Sequence, residues 1–145
     1  MTYRHQLLTS PAYLKTHKRP TTPEDLLGHR LIAFSRWQPE NRWHFAHASS
    51  KETTKLRFEP YLSINDYAGI VPALLAGVGI GELPPLVRPD LVQQGRLVEV
   101  MHKWRLRTFD LWLLRVGNRH LPRAVQLFKE FAAKTTPRLF PKLPV

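Results

Sequence analysis

Short apolar blocks of two different periods alternate along this chain, separated by polar or proline-rich breaks. Residues 6–9 form a brief apolar block that reads as a strand, and 11–16 as one helical turn. Thr22 can cap a helix with Pro23 at its first position and Glu24 and Asp25 in its first turn, and Gly28 ends it. Leu31, Ile32, Ala33 and Phe34 form a compact run expected of a buried strand, with 35–41 a loop. Segments 42–46 and 55–58 read as paired strands joined through the polar turn Ser49-Ser50-Lys51-Glu52. A further strand, 61–64, feeds a helix.

That helix carries the clearest helical pattern in the first half of the chain. Ile70, Val71, Leu74, Leu75 and Val78 share one helical face. Either Asn65 or Asp66 can cap it, because a short side-chain oxygen accepts a first-turn N–H. Gly77 can end it in a left-handed conformation. Pro72 conflicts with a start at Tyr67, since proline removes a helical donor; a later start would place it in the first turn. Further on, 85–92 reads as a short helix, 96–100 as a strand and 109–116 as a strong strand. The helix 121–134 shows an apolar stripe of Val125, Leu127, Phe128, Phe131 and Ala132, and 135–145, with three prolines, is a tail. Strands alternating with helices predict an α/β fold with a largely parallel sheet.

Composition narrows the class. At 145 residues and 43% hydrophobic content, the chain fits one domain, or one lobe plus part of another. The longest apolar run, 70–80, is broken by Pro72, Gly77 and Gly79, so no membrane span is expected. The first residues lack a signal-peptide core, and cysteine is absent, which fits a cytoplasmic location. The formal charge of +11 suits weak nonspecific contact with phosphate backbones, yet the lysines and arginines are scattered, with a modest cluster at Lys103, Arg105 and Arg107. The sequence shows no helix-turn-helix.

Catalytic patterns are missing. Ala76-Gly77-Val78-Gly79 lacks the serine of a nucleophile elbow. Gly77-x-Gly79-x-Gly81 follows a helix instead of opening one, so it reads as a helix stop followed by close packing and not as a dinucleotide site. His44 and His47 would point to opposite faces of a strand, which disfavours a metal site. Asp110 reads as a turn or edge residue. No enzyme activity, metal or cofactor is expected. Binding fits better: in open α/β folds, ligands sit where strands end and helices begin. The loop Phe34-Ser35-Arg36-Trp37 and the pair Asn65-Asp66 both follow strands, and they offer neutral donors, a guanidinium fork and aromatic walls. The positive helix end after Asn65 favours an anionic or carboxylate-bearing ligand.

Six segments in order also resemble one family. They are Thr9-Ser10-Pro11-Ala12-Tyr13-Leu14; Arg19-Pro20 with Thr22-Pro23-Glu24-Asp25-Leu26 and His29; Trp43-His44-Phe45; Asn65-Asp66 through Leu83-Pro84; Gly95-Arg96-Leu97-Val98 ahead of Trp104; and Arg119-His120-Leu121-Pro122-Arg123. Together they resemble the effector-binding domain of LysR-type transcriptional regulators. The resemblance implies two Rossmann-like lobes of the type II periplasmic-binding-protein kind, joined by two crossing strands, with a small-molecule effector between them. On that template 1–10 is the first hinge strand and part of lobe I, 11–82 a complete lobe II, 83–134 the second hinge and the returning part of lobe I, and 135–145 a tail. It also implies that Thr9 and Ser10, at the first hinge, face the cleft with the two loops. DNA would be reached only through a domain absent from this chain, and a homo-oligomer is expected. The earlier part of lobe I has no counterpart in the sequence, so the chain is either a fragment or a half-lobe completed by a partner copy. A stand-alone solute-binding module is the alternative.

Overall fold

The computed structural model describes residues 1–35, 41–114 and 122–145. The elements, in chain order, are β1 (Thr2–Arg4), β2 (Gln6–Thr9), α1 (Pro11–Thr16), a 3-10 helix (Glu24–Gly28), β3 (Leu31–Phe34), β4 (Asn41–His47), β5 (Thr53–Phe58), β6 (Leu62–Ile64), α2 (Tyr67–Leu75), β7 (Ile80–Leu83), α3 (Pro89–Gln93), β8 (Val98–Glu99), β9 (Trp104–Leu106), β10 (Thr108–Asp110) and α4 (Arg123–Leu139). They form a five-stranded sheet in the order β6-β3-β7-β2-β8, a three-stranded sheet β5-β4-β9 and a two-stranded sheet β1-β10.

The central sheet is mixed, where the sequence predicts a largely parallel one. β3 runs parallel to β6 and β7, but β2 is antiparallel to both β7 and β8. The strand β2 enters the sheet from the opposite end because it comes directly from the edge pair β1-β10, with only His5 between β1 and β2.

Side-chain alternation along the central strands makes two cores, one on each face. Leu7, Leu31, Ala33 and Ile80 face Trp43, Phe45, Leu56 and Phe58 of the three-stranded sheet, together with Tyr13 from α1. Leu8, Ile32 and Leu83 face Ile70, Val71 and Leu74 of α2 and Leu91 of α3. Trp43 is therefore a core residue. The three-stranded sheet also recruits β9, which the sequence does not signal because its three residues are Trp, Arg and Leu between basic neighbours.

Four further elements differ from the sequence reading. The helix α2 starts at Tyr67, so Pro72 lies inside it. The carbonyl left without a helical donor is that of Ala68, four residues back, and Ala68 is exposed and open to water. The helix then ends in a Schellman motif: Gly77 sits at φ +70°, Val78 N–H donates to the Ala73 carbonyl at 3.1 Å, and Gly77 N–H to that of Leu74 at 3.0 Å. The expected helix over 85–92 is confined to α3, after Arg88 in the left-handed region. The strand expected over 109–116 reduces to β10; Leu111 still exchanges backbone hydrogen bonds with Met1, residues 111–114 are exposed, and 115 and 116 lie outside the described residues. Finally, α4 runs to Leu139 through Pro137, where a tail is expected from 135.

Candidate functional site

The strands β3, β6 and β7 all finish at one edge of the central sheet, at Phe34, Ile64 and Leu83, while β2 begins there opposite Leu83. Phe34 pairs with Ile64 in the β3–β6 ladder, so Ser35 and Asn65 are the next residues on two adjacent strands. The backbone ties them together: Ser35 N–H donates to the Ile64 carbonyl at 2.7 Å. Both Ser35 and Asn65 are exposed at the rim.

A chain of aromatic rings crosses this edge. The Phe34 ring stacks on Tyr67 with centroids 4.2 Å apart, and Tyr67 meets His5 edge-on at 5.5 Å. The His5 ring in turn stacks on Phe109 at 4.4 Å, and Tyr3 lies against Phe109 at 6.1 Å. Arg107 covers the same Phe109 ring, its guanidinium carbon 4.8 Å from the centroid, a cation–π arrangement. Beside the rings is a cleft of about 240 Å³ whose walls include Ala33, Phe34, Arg42, Trp43, Arg107 and Phe109, with Glu82 of β7 among them.

The electrostatics of the cleft are divided. At its mouth, His44 is held below the usual histidine range, first by partial desolvation and then by the nearby cations Lys55, Arg107 and Arg42. That field favours an anion. Deeper, the carboxylate of Glu82 lies 3.8 Å from His5 Nδ1, with both side chains nearly sealed from solvent. This distance is too long for a hydrogen bond, and His5 Nδ1 has no hydrogen-bond partner among the described residues. The buried His5 Nδ1 is thus left unsatisfied at the edge where the strands converge.

Three of the sequence-predicted site residues serve the scaffold. Thr9 is 0% exposed, and its hydroxyl donates to the Gly79 carbonyl at 2.8 Å, which pins β2 to the loop before β7. Ser10 caps α1: its hydroxyl accepts from Tyr13 N–H at 3.3 Å. Asp66 caps α2, its Oδ1 accepting from Ala68 N–H at 3.0 Å, while its carbonyl takes the N–H groups of Gly69 and Ile70. The positive end of α2, expected from sequence to draw a ligand anion, thus holds the chain's own carboxylate. Phe34, Ser35 and Asn65 lie together at the ends of β3 and β6, and Arg36 and Trp37 lie outside the described residues. The glycines of 77–81 act in packing: a Cβ on Gly79 would stand 2.1 Å from the Arg30 carbonyl oxygen, and one on Gly81 3.2 Å from Ile32.

Comparison with known proteins decides the family. A sequence model of the LysR substrate binding domain matches residues 1–137, which takes in every strand and nearly all of α4. The chain belongs to the LysR substrate-binding domain family. It is 30% identical over 142 residues to the probable HTH-type transcriptional regulator LtrA of Klebsiella pneumoniae, a match covering 96% of this chain and 45% of that protein. It is 29% identical over 124 residues to the HTH-type transcriptional regulator YhjC of Escherichia coli, covering 86% of this chain and 42% of that one. The LysR-type chain therefore spans a little under half the length of these relatives. Among solved structures it resembles the full-length virulence activator AphB of Vibrio cholerae, with a TM-score of 0.80 and 25% identity over 93% of this chain and 46% of that one. The regulatory domain of AphB from Vibrio vulnificus gives 0.78 and 26%, over 92% of this chain and 66% of that domain. The type II periplasmic-binding-protein-like α/β fold follows from these likenesses. The family is one of transcriptional regulators, not of enzymes.

Sequence reasoning missed several groups at the edge of this LysR-type domain: His5, Tyr67, Glu82, Arg107 and Phe109. One signal was available. Glu82 is the single charged residue in a strand whose four positions are all buried, and a carboxylate there needs a reason. His5 and Phe109 gave no such signal, because β1 and β10 are three residues long and pair across more than a hundred positions.

Proposed function

We propose that this chain is the effector-sensing part of a bacterial LysR-type transcriptional regulator, without catalysis of its own, and that it takes a small anionic molecule at the edge where β3, β6 and β7 end. The observation that carries this reading is the placement of Ser35 and Asn65 on adjacent strand ends, next to the Phe34–Tyr67 stack, in a chain that matches the family over residues 1–137. Ser35 and Asn65 supply neutral donors, Phe34 an apolar wall, and the loop residues Arg36 and Trp37 charge and further surface. Thr9, Ser10 and Asp66 support the walls without touching the ligand.

In lobe terms, 1–10 is the first hinge strand and part of lobe I, 11–82 is lobe II, 83–134 is the second hinge and the returning part of lobe I, and 135–145 is a tail. The regulator works in the cytoplasm as an oligomer and reaches DNA through a domain outside this chain. A stand-alone solute-binding module fits less well, because the relatives are helix-turn-helix regulators. Among the described residues no helix is long and apolar enough to cross a membrane.

The test is a thermal-unfolding and calorimetric screen of the chain against small organic acids, each paired with its neutral amide. A ligand at about 100 times its Kd stabilises the native state by about 2.7 kcal/mol, which a melt resolves. Acids are expected to raise the melting temperature and their amides to leave it unchanged. Stabilisation by amides as strong as by acids, or by no compound at all, would overturn the reading.

A further inference from the structure

Cations that lie scattered in the sequence are gathered by the fold on the outer face of the three-stranded sheet. The inner face of that sheet gives Trp43, Phe45, Leu56 and Leu106 to the core. Strand alternation therefore turns Arg42 and His44 of β4, Lys55 and Arg57 of β5, and Arg105 of β9 outward, and all five are exposed. The register sets like against like: Arg42 stands opposite Arg57, and His44 opposite Lys55. Arg105 adds its charge from the other side of β4, opposite Ala46. Like charges directly opposite destabilise a strand pair. None of the three strands contains an acidic residue; Glu52 and Glu59 flank β5 on either side. The field is felt at His44, whose pKa is lowered first by desolvation and then by Lys55, Arg107 and Arg42.

Two of the guanidinium groups are already held. Arg105 Nη1 donates to the Val145 carbonyl at 3.1 Å, and Arg107 lies over the Phe109 ring at 4.8 Å. Each fork keeps further N–H donors for an outside acceptor. A groove of about 610 Å³ on this face has His44, Ala46, Thr53, Lys55 and Arg107 among its walls.

The layout selects the kind of partner. A protein interface is built round an apolar centre, and a membrane surface needs apolar side chains to insert; the outward neighbours of these cations are Ala46 and Thr53. A small phosphate compound needs donors that converge in a pocket. Here the cations stand in rows, about 6.7 Å apart along a strand and about 4.8 Å between strands. A nucleic-acid backbone presents a matching row of charges and is bound by neutralising phosphates, without apolar contact.

We propose that the outer face of β5-β4-β9 holds the phosphate backbone of duplex DNA without reading its sequence. Operator reading stays with the domain outside this chain, and this face adds a second contact to the same duplex.

The experiment titrates short duplexes of unrelated sequence with the full 145-residue chain at about 50 mM salt, followed by fluorescence anisotropy. All duplexes should bind alike. Lys55→Gln, Arg57→Gln and Arg105→Gln together should weaken binding about tenfold or more and flatten the salt slope by about 2.7, at about 0.9 per phosphate contact. Lys129→Gln, Lys134→Gln and Arg138→Gln on α4 remove the same charge and should stay within about twofold of the parent. On the parent chain, amide signals of β4, β5 and β9 should move when duplex is added, and those of α4 should not. Equal weakening by the two triple variants would reduce the effect to net charge and overturn the proposal. So would absence of binding by the parent, a preference among the duplexes, or signal changes outside the three strands. Poly-glutamate that binds more tightly than a duplex of equal charge would overturn it in favour of an acidic polypeptide.

Discussion

His5 Nδ1 lies 3.8 Å from Glu82 Oε2 at the point where the edge pair β1-β10 meets the central sheet, and no hydrogen bond joins them. The His5 ring is held by packing, between Phe109 on one face and Tyr67 at its edge. An unsatisfied buried polar atom costs about 1–3 kcal/mol, while an aromatic pair contributes about 0.5–1.5 kcal/mol beyond its area. A phenyl ring at this position keeps both aromatic contacts and removes the unsatisfied nitrogen, whereas alanine loses the contacts. His5→Phe is expected to stay within about 1 kcal/mol of the parent, and His5→Ala to lose about 2–4 kcal/mol. Urea unfolding checks this; equal losses in the two variants would mean that the contact with Glu82 dominates.

A pH dependence follows from Asp25. Its Oδ2 accepts from Thr21 N–H at 2.8 Å, Thr22 N–H at 2.9 Å and the Thr21 hydroxyl at 2.9 Å. These hydrogen bonds, the Thr21 N–H first, lower its pKa from 3.8 to about 2. A carboxyl whose folded-state value is depressed adds stability that is fully present above the unfolded value and lost as pH falls through the folded one. Asp25→Asn should therefore be less stable than the parent near neutral pH, and the gap should close between about pH 4 and about pH 2. Paired thermal melts across that window decide it, and a gap independent of pH would contradict the assignment.

The two glycines that most invite substitution should behave differently. A Cβ on Gly79 would meet the Arg30 carbonyl oxygen at 2.1 Å, where Ile80 N–H already binds that oxygen at 2.9 Å. Gly79→Ala cannot be accommodated without parting β7 from Arg30, and little soluble folded protein is expected. Gly95 has open space around it but sits at φ +68°, so Gly95→Ala should cost only about 1–2 kcal/mol of backbone strain. Soluble yield and chemical denaturation of both variants test the contrast.

How much could be read in the sequence depended on the range of the interaction. The Gly77 stop and the β4–β5 hairpin rest on local patterns, and both are present. The Thr22 hydroxyl accepts from Asp25 N–H at 3.4 Å while the Asp25 carboxylate accepts from Thr22 N–H, a reciprocal cap that the spacing alone implies. The aromatic chain through His5 and Phe109 could not be read, because β1 and β10 lie at opposite ends of the sequence. The apolar stripe of α4 was legible, but its exposure was not: periodicity identifies a face that wants burial, not whether something buries it. The family resemblance implies that Thr9 and Ser10 face the cleft; in the fold their hydroxyls bond to the Gly79 carbonyl and to Tyr13 N–H.

The rim residues give the sharpest functional prediction, because neighbours in sequence should separate by role. Asn65 is exposed and its side chain bonds to no other described residue, whereas Asp66 caps α2 through Ala68 N–H. Removing a cap costs about 0.5–2 kcal/mol, so Asp66→Ala should lower stability by that amount. Asn65→Ala and Ser35→Ala should leave stability within about 0.5 kcal/mol, as surface substitutions do. Binding should show the reverse order. A hydrogen bond to a charged ligand group contributes about 1.5–3 kcal/mol, so each of these two variants should bind an anionic effector about tenfold more weakly or worse. Asp66→Ala should bind it at least as tightly as the parent, since it removes a negative charge from the helix end beside the cleft. Calorimetry of the three variants with an acid identified by the screen, beside melts without ligand, separates the roles. Parent-like affinity in both Asn65→Ala and Ser35→Ala would move the effector away from this edge, to a part of the cleft deeper among Phe34, Arg107 and Glu82.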